Sequence, residues 1–341
     1  MISGLNGWVR EHLVCPRDRL TLVTEGNALR CRSGHSYEIR NGIPVLLLLD
    51  EEPTHPKLLP TGELREQQTL ETNGSSNRGV DEYVQGEIVG TCGNFYRPLL
   101  RRLTRYPIPE LRGVPPEGEG KRFLDVGCNW GRWSVAASRA RYSAVGIDPS
   151  FDAVAAARRV ALQLSANAQF LCADARWLPF ADGTFDVVFS YSVFQHLRKA
   201  DVGAALDEVS RVLVPGGIVV VEMPTAFGLR NLYVQAKRRV TRQRLAPLDF
   251  HVRYWSVPEL VKTFSRHVGS AHVEVDSYFF INGQPADRDL LPVPFRVAIT
   301  ASEALRKVSR VFPFLTYAAD SVYVAAKKDS HHTRDEVSRT E

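Results

Sequence analysis

The chain of 341 residues is long enough for one large domain or two smaller ones around an ordinary apolar core. Apolar residues make up 44% of the sequence and charged residues 24%, which is typical of a soluble globular protein. The longest apolar run, at residues 43–49, is too short to span a bilayer. We expect no secretory signal, because Arg10, Glu11 and His12 stand where its apolar stretch would be. The five cysteines suggest no disulfide framework, so we expect a cytoplasmic location.

The net charge of +5 is mild, but the charges are unevenly distributed. Residues 50–82 are rich in acids. Residues 223–248 contain no acid and six basic residues, namely Arg230, Lys237, Arg238, Arg239, Arg242 and Arg244. A local basic patch is a better indication of a partner than the pI near 9.

The first segment whose residues suggest a binding site is CPRDRLTLVTEGNALRCRSGH, which carries Cys15-x-x-Asp18 and Cys31-x-x-x-His35. Zinc accepts cysteine, histidine and carboxylate ligands in tetrahedral sites, so these four residues predict a zinc site in which aspartate replaces a cysteine. Short strand patterns joined by turns surround it and indicate a small β-rich domain over residues 1–50. The alternative is a degenerate ribbon whose cysteines are buried as ordinary apolar residues.

The rest of the chain divides by its pattern. Residues 51–80 are rich in Pro, Thr, Gly, Ser and Asn and predict a partly mobile linker. Residues 81–328 alternate apolar strand patterns with helices of 10 to 15 residues, which predicts βαβ units and an α/β domain whose sheet is covered on both faces. Within it, residues 225–255 predict a basic helical insertion, and residues 329–341 predict a disordered polar tail.

A glycine-containing loop opens the α/β domain in FLDVGCNWGRWS. Gly127 and Gly131 permit a sharp strand-to-helix turn and a close approach of backbone to a ligand, and the following helix presents N–H groups. Asp148 ends the second strand, where a carboxylate accepts hydrogen bonds from ribose hydroxyls, and Asp174 ends the third. A loop and two acids, all at the carboxyl ends of successive strands, indicate a nucleotide site.

These motifs resemble those of the class I S-adenosylmethionine-dependent methyltransferases. LDVGCNWG is similar to the first motif, GIDPS to the second, and CADARWLPFADGTFDVVFSYSVFQHL with EVSRVLVPGGIVVVEMP to later motifs of the branch that acts mostly on small molecules. The resemblance implies a Rossmann-like, seven-stranded sheet with its last strand antiparallel. It also implies S-adenosyl-L-methionine as cofactor, held by Asp125, Gly127, Cys128, Asn129, Gly131, Asp148, Asp174, Ala175 and Ser190.

One departure from the family pattern is Asn129-Trp130, where a third glycine is usual. Asparagine tolerates left-handed backbone, so the turn is expected to survive, and Trp130 is expected to pack rather than to contact substrate. The alternative is another Rossmann-like protein that uses a nicotinamide or a nucleotide-sugar. The spacing G-x-G-x-x-G that dinucleotide binding requires is missing from GCNWG, which favours methyl transfer.

Three residues are candidates at the reactive end of the cofactor. His196 follows the fourth strand, while His251 and Tyr254 follow the basic insertion, where this fold usually builds its acceptor pocket. Each is a candidate for substrate contact or proton transfer, and each is equally open to a packing role. The chain lacks the Asn/Asp-Pro-Pro-aromatic box and the Pro-Cys context of nucleic-acid base methyltransferases, so a nucleic-acid acceptor is less favoured.

The basic insertion has three interpretations: a solvated face, a membrane-surface contact that holds a phosphorylated or lipid-linked acceptor, or an RNA contact with aromatic stacking. The flanking sequences resemble bacterial methyltransferases of glycan and secondary-metabolite pathways. We therefore expect a small-molecule, sugar or lipid-linked glycan acceptor, with an RNA base methyltransferase or a cofactor-binding scaffold as alternatives. Residues 1–50 resemble the zinc-ribbon-like domain fused to, or partnering, methyltransferases, which implies an accessory role.

Overall fold

The computed structural model describes residues 5–54, 79–240, 252–279 and 283–329. In this part of the chain the strands are β1 Val23–Glu25, β2 Ala28–Arg30, β3 Ser36–Arg40, β4 Ile43–Leu46, β5 Arg122–Val126, β6 Ser143–Asp148, β7 Ala168–Ala173, β8 Phe185–Tyr191, β9 Leu213–Pro224, β10 Ala271–Ser277 and β11 Ser321–Lys327. The helices are α1 Gly7–His12, α2 Glu82–Cys92, α3 Arg132–Arg139, α4 Phe151–Gln163, α5 Lys199–Val212, α6 Leu229–Val240, α7 Val257–His267 and α8 Val293–Ser309. Four 3₁₀ turns lie at Asn94–Leu99, Phe194–His196, Pro285–Leu290 and Pro313–Ala318.

The strands form one mixed sheet in the order β1-β2-β3-β4-β7-β6-β5-β8-β9-β11-β10. Strands β4 to β9 of this order run parallel, and β11 is antiparallel to both β9 and β10, so the prediction of an antiparallel last strand is confirmed. The prediction of seven strands was too small, since the described residues contain eleven. The difference comes from the N-terminal strands β1 to β4, which continue the sheet beyond β7.

Strand β4 makes that continuation. Val45 and Leu46 pair in parallel with Cys172 and Ala173 of β7. An apolar edge strand exposes unpaired N–H and C=O groups, and a second apolar strand satisfies them. Strand β3 then pairs antiparallel with β4, and β2 and β1 follow as short hairpin strands.

The N-terminal segment also shares its apolar core with the rest of the chain. One continuous cluster of buried side chains includes Val9, Leu13 and Tyr37 together with Leu124 and Val188 of the central strands. A backbone bridge pairs Leu13 with Phe180, and the Val14 N–H donates to the Pro179 carbonyl at 3.0 Å. The two parts of the sequence are therefore packed as one body at this edge.

Local signals explain most helix boundaries. Helix α7 begins at a capping box in which Ser256 accepts from the Glu259 N–H and the Glu259 carboxylate accepts from the Ser256 N–H. Helix α8 has Pro294 in its first turn, where the missing N–H of proline has no cost. Among the described helices, none is both long and apolar enough to cross a bilayer.

The predicted basic helix exists as α6, but its apolar side faces outward. Leu229, Leu232 and Tyr233 are exposed, whereas Asn231 is buried. Residues 241–251, and with them His251, lie outside the described residues, as do most of the predicted linker and tail.

Candidate active site and metal centre

The glycine loop joins β5 to α3 through three left-handed residues. Gly127, Asn129 and Gly131 have φ angles of 76°, 45° and 82°, so the asparagine takes the left-handed conformation expected of it. A Cβ at Gly127 would lie 2.3 Å from Val193 Cγ2, which leaves no room for a side chain. The Asn129 side chain accepts a hydrogen bond from the Trp130 N–H at 2.7 Å and stabilises the turn.

Asp148 ties this loop to the end of the neighbouring strand β6. Its Oδ2 accepts from the Asn129 N–H at 3.0 Å, and its Oδ1 accepts from the Ser150 N–H at 2.9 Å. Burial raises the pKa of Asp148 to about 6, although both backbone donors act to lower it. Since each carboxylate oxygen accepts two hydrogen bonds, acceptor capacity remains for a ligand.

Other predicted cofactor residues support the loop from inside. The Ser134 hydroxyl donates to Asp125 Oδ2 at 2.6 Å, and burial raises the pKa of Asp125 to about 7. The Ser190 hydroxyl is fully buried and donates to the Val126 carbonyl at 2.8 Å. Burial raises the pKa of Cys128 well above its ordinary value, so its thiol stays neutral. These groups hold the strand-to-helix junction.

Asp174 is paired within the protein. Arg176 donates to both carboxylate oxygens, from Nε at 3.1 Å and from Nη2 at 3.0 Å. The same guanidinium donates to the Glu52 carbonyl at 2.7 Å and therefore joins the end of β7 to the segment after β4. Ala175 lies half-buried between the two charged residues.

The packing explains Trp130. The side chain is almost fully buried, and its indole N–H donates to Thr91 Oγ1 at 3.1 Å on helix α2. Its ring lies 5.9 Å from that of Tyr106. The expectation that Trp130 packs rather than contacts substrate agrees with this position.

The loop lies at the point where the sheet changes its direction of winding. From β5 the chain proceeds through β6 to β7 on one side, and β8 and β9 then add on the other side. The crevice outside the carboxyl ends at such a switch point is the usual ligand site of open α/β sheets. Gly127 lies on one side of the crevice, and Val193, just after β8, packs against it from the other.

Two of the three predicted catalytic residues lie on neighbouring segments beyond β8 and β9. His196 ends the 3₁₀ turn after β8, and its carbonyl accepts from Arg253 Nη1 at 2.6 Å. Tyr254 follows directly, and burial raises the pKa of its hydroxyl. The segment is anchored to the end of β9, because the Ala226 N–H donates to the Trp255 carbonyl at 2.7 Å.

The four predicted metal ligands come together in the N-terminal segment. Cys15, Asp18, Cys31 and His35 each place one ligand atom within 4.8 Å of all the others. His35 Nδ1 lies 3.5 Å from Cys15 Sγ, 3.4 Å from Cys31 Sγ and 3.1 Å from Asp18 Oδ2. Zinc bonds of about 2.0 to 2.3 Å in a tetrahedron require ligand separations of roughly 3.3 to 3.8 Å. The donor set suits zinc, and the separations of 3.1 to 3.5 Å from His35 are close to those of a tetrahedral site.

Two turns bring these ligands together. The Arg19 N–H donates to the Cys15 carbonyl at 2.8 Å, and the Gly34 N–H donates to the Cys31 carbonyl at 3.0 Å. A hydrogen bond from Cys15 holds the pKa of Asp18 below its ordinary value, so this carboxylate is ionised. Burial raises the pKa of the Cys15 thiol, which lies 3.1 Å from the Tyr37 hydroxyl.

The sequence of the α/β domain matches a known family. Residues 123–217 match the family profile described as "Methyltransferase domain". This segment is therefore similar to methyltransferase domains. It begins at β5 and ends within β9, so the glycine loop, Asp148 and His196 all belong to it.

Curated relatives are similar to part of the chain. A demethylmenaquinone methyltransferase of Thermus thermophilus is 40% identical over 116 residues, which are 32% of this chain and 52% of that protein. A ubiquinone biosynthesis O-methyltransferase of Rhizobium rhizogenes is 35% identical over 103 residues, or 30% of this chain and 41% of that protein. The chain thus spans about half the length of these relatives. A solved SAM-dependent methyltransferase of Thermotoga maritima, described as a possible histamine N-methyltransferase, is 15% identical, with a TM-score of 0.45 over 72% of this chain and 98% of that chain.

Next to the methyltransferase domain's switch point lies a buried polar cluster that the sequence reasoning missed. Glu222 is fully buried near the end of β9 and accepts from the Ser192 hydroxyl at 2.7 Å. Burial, reinforced by the charge of Asp276, raises the pKa of Glu222 to about 8. Asp276 in turn accepts from the hydroxyls of Tyr191 and Ser321 at 3.0 and 2.9 Å. The acid in VVVEMP was a visible signal, because a charged residue in an apolar strand needs buried partners.

A second missed pair fixes helix α3. Arg132, in the first turn after the glycine loop, is buried and donates to Asp287 Oδ1 at 2.7 Å and to the Pro107 carbonyl at 2.7 Å. Tyr96 donates to the same carboxylate oxygen at 2.5 Å. Arg132 and Asp287 lie 155 residues apart in sequence, so no local pattern could have revealed this pair.

Proposed function

We propose that the chain is an S-adenosylmethionine-dependent methyltransferase that acts on a small molecule. The observation that carries the proposal is the left-handed glycine loop of the methyltransferase domain, hydrogen-bonded through Asn129 to Asp148 at the sheet's switch point. This arrangement offers backbone donors at the start of α3 beside a carboxylate acceptor. An adenosine with a charged amino-acid tail has the matching groups.

The residues of the site fit this cofactor. Asp148 retains acceptor capacity for ribose hydroxyls, and Gly131, at the N-cap of α3, has no side chain to cap the first-turn N–H groups. When bound, the cofactor supplies an electrophilic methyl group on a sulfonium. Asp125, Ser134 and Arg132 hold the loop in place, because their own hydrogen bonds are made within the protein.

The protein's contribution to the reaction is mainly alignment and exclusion of water. Val193 packs against the glycine loop, and the segment 252–255 is held beside His196, whose carbonyl accepts from Arg253. We propose that His196 and Tyr254 face the acceptor, with His196 available to take a proton from an acceptor hydroxyl. The residues Ala175 and Ser190 complete the site through packing and backbone positioning.

The acceptor is proposed to be an apolar or lipid-linked small molecule. The relatives from Thermus and Rhizobium are named for demethylmenaquinone and for ubiquinone biosynthesis, and both names describe small quinone-type acceptors. This supports a small acceptor and favours one that carries an apolar tail. The following experiment distinguishes this proposal from an RNA base methyltransferase and from a cofactor-binding scaffold.

The test supplies labelled S-adenosylmethionine to the purified chain with three acceptor pools: a lipid extract, water-soluble metabolites and total RNA. We expect label in the lipid or metabolite fraction, and none with Asp148→Ala. Asp152→Ala, which removes an exposed carboxylate in the first turn of α4, is the matched control and should retain activity. Label in RNA would favour the RNA alternative, and cofactor binding without any label would favour the scaffold.

We further propose that Cys15, Asp18, Cys31 and His35 hold a zinc ion in a closed structural site. Four protein ligands leave no open position for catalysis, so the ion would stabilise the N-terminal strands that continue the sheet. Since these strands cover the edge of β7, loss of the metal should lower the stability of the whole domain.

Substitution of Asp18 tests the metal site. Asp18→Cys would give three thiolates and a histidine, and we expect tighter zinc binding and a higher unfolding temperature. Asp18→Ala should lower zinc content, measured by elemental analysis, while Asp289→Ala at an 82% exposed side chain should not. Wild-type protein without zinc after purification with zinc present, together with an unfolding temperature insensitive to chelator, would contradict the proposal.

A further inference from the structure

Exposed apolar side chains are concentrated on two segments near the C-terminal half of the molecule. Of eighteen large apolar side chains that are exposed among the described residues, twelve lie within residues 227–240 and 293–317. Phe314 is 68% exposed and Tyr233 is 66% exposed. Such a concentration indicates a surface that meets something apolar.

Helix α6 buries polar side chains and exposes apolar ones. Its inward side uses polar groups: the Asn231 amide donates to the carbonyls of Thr225 and Asp320 at 2.8 and 2.7 Å, and Gln235 donates to Ala226 O at 2.8 Å. Its outward side carries Leu229, Leu232, Tyr233, Ala236 and Val240. A surface helix normally buries its apolar stripe and exposes its polar one.

Helix α8 shows the same outward apolar stripe. Its exposed small and aliphatic residues recur every three or four positions and so share one side of the helix: Val293, Val297, Ala301, Ala304 and Val308. The stripe continues past the helix end into Val311, Phe312, Phe314 and Tyr317.

The two segments meet at the start of α6. The start of α6 is fixed where the turn Pro313–Ala318 ends, because Asp320 Oδ1 accepts from the Arg230 N–H at 3.0 Å and the Asp320 carbonyl accepts from Thr225. Strand β11 begins there, with Ser321 opposite Pro224 at the end of β9. We call the exposed apolar side chains of residues 227–240 and 293–317 the apolar surface; it borders the carboxyl end of the sheet, where the candidate active site lies.

The charges around the apolar surface are almost all positive. Helix α6 contains Arg230, Lys237 and Arg238 and no acid. Residues 293–319 contain the bases Arg296, Arg306, Lys307 and Arg310 against one acid, Glu303. The Glu303 side chain is only 17% exposed and is paired with Arg112 at 3.0 Å and with Arg306 at 3.1 Å. An approaching partner therefore meets aliphatic and aromatic side chains flanked by positive charge.

We propose that the apolar surface docks on an anionic lipid bilayer, with Phe312, Phe314 and the side chains of α6 inserted at the headgroup level. Anionic headgroups complement the basic residues, and acyl chains take up the aliphatic side chains. A second copy of this chain fits poorly, because the positive charges of both copies would meet without acids. RNA fits poorly too, because the valine-rich stripe of α8 offers no stacking surface.

This docking deepens the proposed function, because a bilayer at the carboxyl edge of the sheet delivers a lipid-linked acceptor to the cofactor site. The docking itself rests on the exposed residues and is measured without S-adenosylmethionine. Cofactor binding is measured without vesicles. Failure of one measurement thus leaves the other interpretable.

The experiment is co-sedimentation of the full chain with vesicles of phosphatidylcholine alone or with phosphatidylglycerol added. We expect binding to the anionic vesicles that weakens as salt is raised, and a loss of about fivefold in affinity for each basic residue removed, as in Lys307→Gln and Arg310→Gln. The variant Phe312→Ser/Phe314→Ser should lose binding by about tenfold or more. Leu162→Ser is the matched control, since Leu162 is 72% exposed on α4 outside the apolar surface, and it should bind as the wild type does.

Circular dichroism and thermal unfolding establish that each variant is folded, and exposed positions should tolerate these changes. Three results would overturn the proposal: no binding of wild type to anionic vesicles, equal binding by the Phe312→Ser/Phe314→Ser variant, or equal loss in Leu162→Ser. A concentration-dependent dimer that the same double variant abolishes would assign the apolar surface to a second copy instead.

Discussion

At the scale of single residues, Asp148 makes the decisive contacts of the candidate site. Its carboxylate accepts from the backbone of the loop that precedes α3 and from the first residues before α4. The carboxylate must be ionised to act as a strong acceptor for ribose hydroxyls. Its elevated pKa makes that state dependent on pH in the neutral range.

We predict that affinity for S-adenosylmethionine falls as the pH is lowered through 6, the value near which Asp148 titrates. Protonation removes the charge-assisted acceptor, so at one pH unit below the pKa the affinity should be about tenfold weaker than at pH 8. Calorimetric titration between pH 5 and 8 measures the effect. Asp148→Asn should bind weakly and with little pH dependence across this range, and an equally steep dependence in that variant would assign the titration to another group.

Glu222 predicts a pH dependence of stability. Its pKa is 4.5 in the unfolded chain and about 8 in the folded one, so the folded state binds the additional proton between these values. Stability from this group is therefore present below pH 4.5 and is lost as the pH rises through 8. Chemical unfolding of wild type and Glu222→Gln between pH 6 and 9 should show the decline in wild type and a flatter profile in the variant. Parallel profiles would contradict the assignment.

At the scale of elements, the glycine loop is determined by close packing as much as by ligand approach. Gly127→Ala places a Cβ in left-handed backbone and 2.3 Å from Val193, and we expect a loss of about 2 to 4 kcal/mol in the free energy of unfolding. Adding Val193→Ala should recover the part of this loss that comes from the clash with Val193. It should not recover the part that comes from the left-handed backbone. Urea unfolding of the single and double variants measures this, and a double variant as unstable as the sum of both changes would show that the contact is unimportant.

The elements themselves were largely predictable. Buried parallel strands are continuous apolar runs in the sequence. Strands β5 and β9 were therefore predictable from the runs RFLDV and GIVVVEM. The glycine loop and the position of Asp148 at the end of β6 followed from the order of the motifs along the chain. Side-chain pairings such as Arg132 with Asp287 did not, because they join segments far apart in sequence. The sequence left open which side of α6 faces outward, since an apolar periodicity does not reveal which side of a helix is buried.

At the scale of the whole molecule, residues 1–50 were expected to form a separate domain. The sequence does not indicate that one of their strands pairs with β7. Strand β4 pairs with β7 across more than 120 residues, and such a pairing has no local signal. The seven-stranded sheet that the motifs implied is therefore embedded in a larger one.

This continuity predicts one cooperative unfolding transition. Because Leu13 and Tyr37 share a core with Leu124, separating the N-terminal strands would expose apolar surface of the central strands. Circular dichroism and tryptophan fluorescence should give the same midpoint in urea, since Trp8 lies in the N-terminal segment and Trp133 lies on α3. Two separate midpoints would indicate independent domains.

The central claim is that the crevice between β5 and β8 binds S-adenosylmethionine through Asp148. Calorimetric titration of the full chain at pH 8 tests it most directly, with Asp152→Ala as the matched control and thermal unfolding as the check on each variant's fold. We predict one saturable site in wild type and Asp152→Ala, and affinity about hundredfold weaker in Asp148→Ala, because two charge-assisted hydrogen bonds are lost. Absence of binding in wild type, or unchanged affinity in folded Asp148→Ala, would contradict the account.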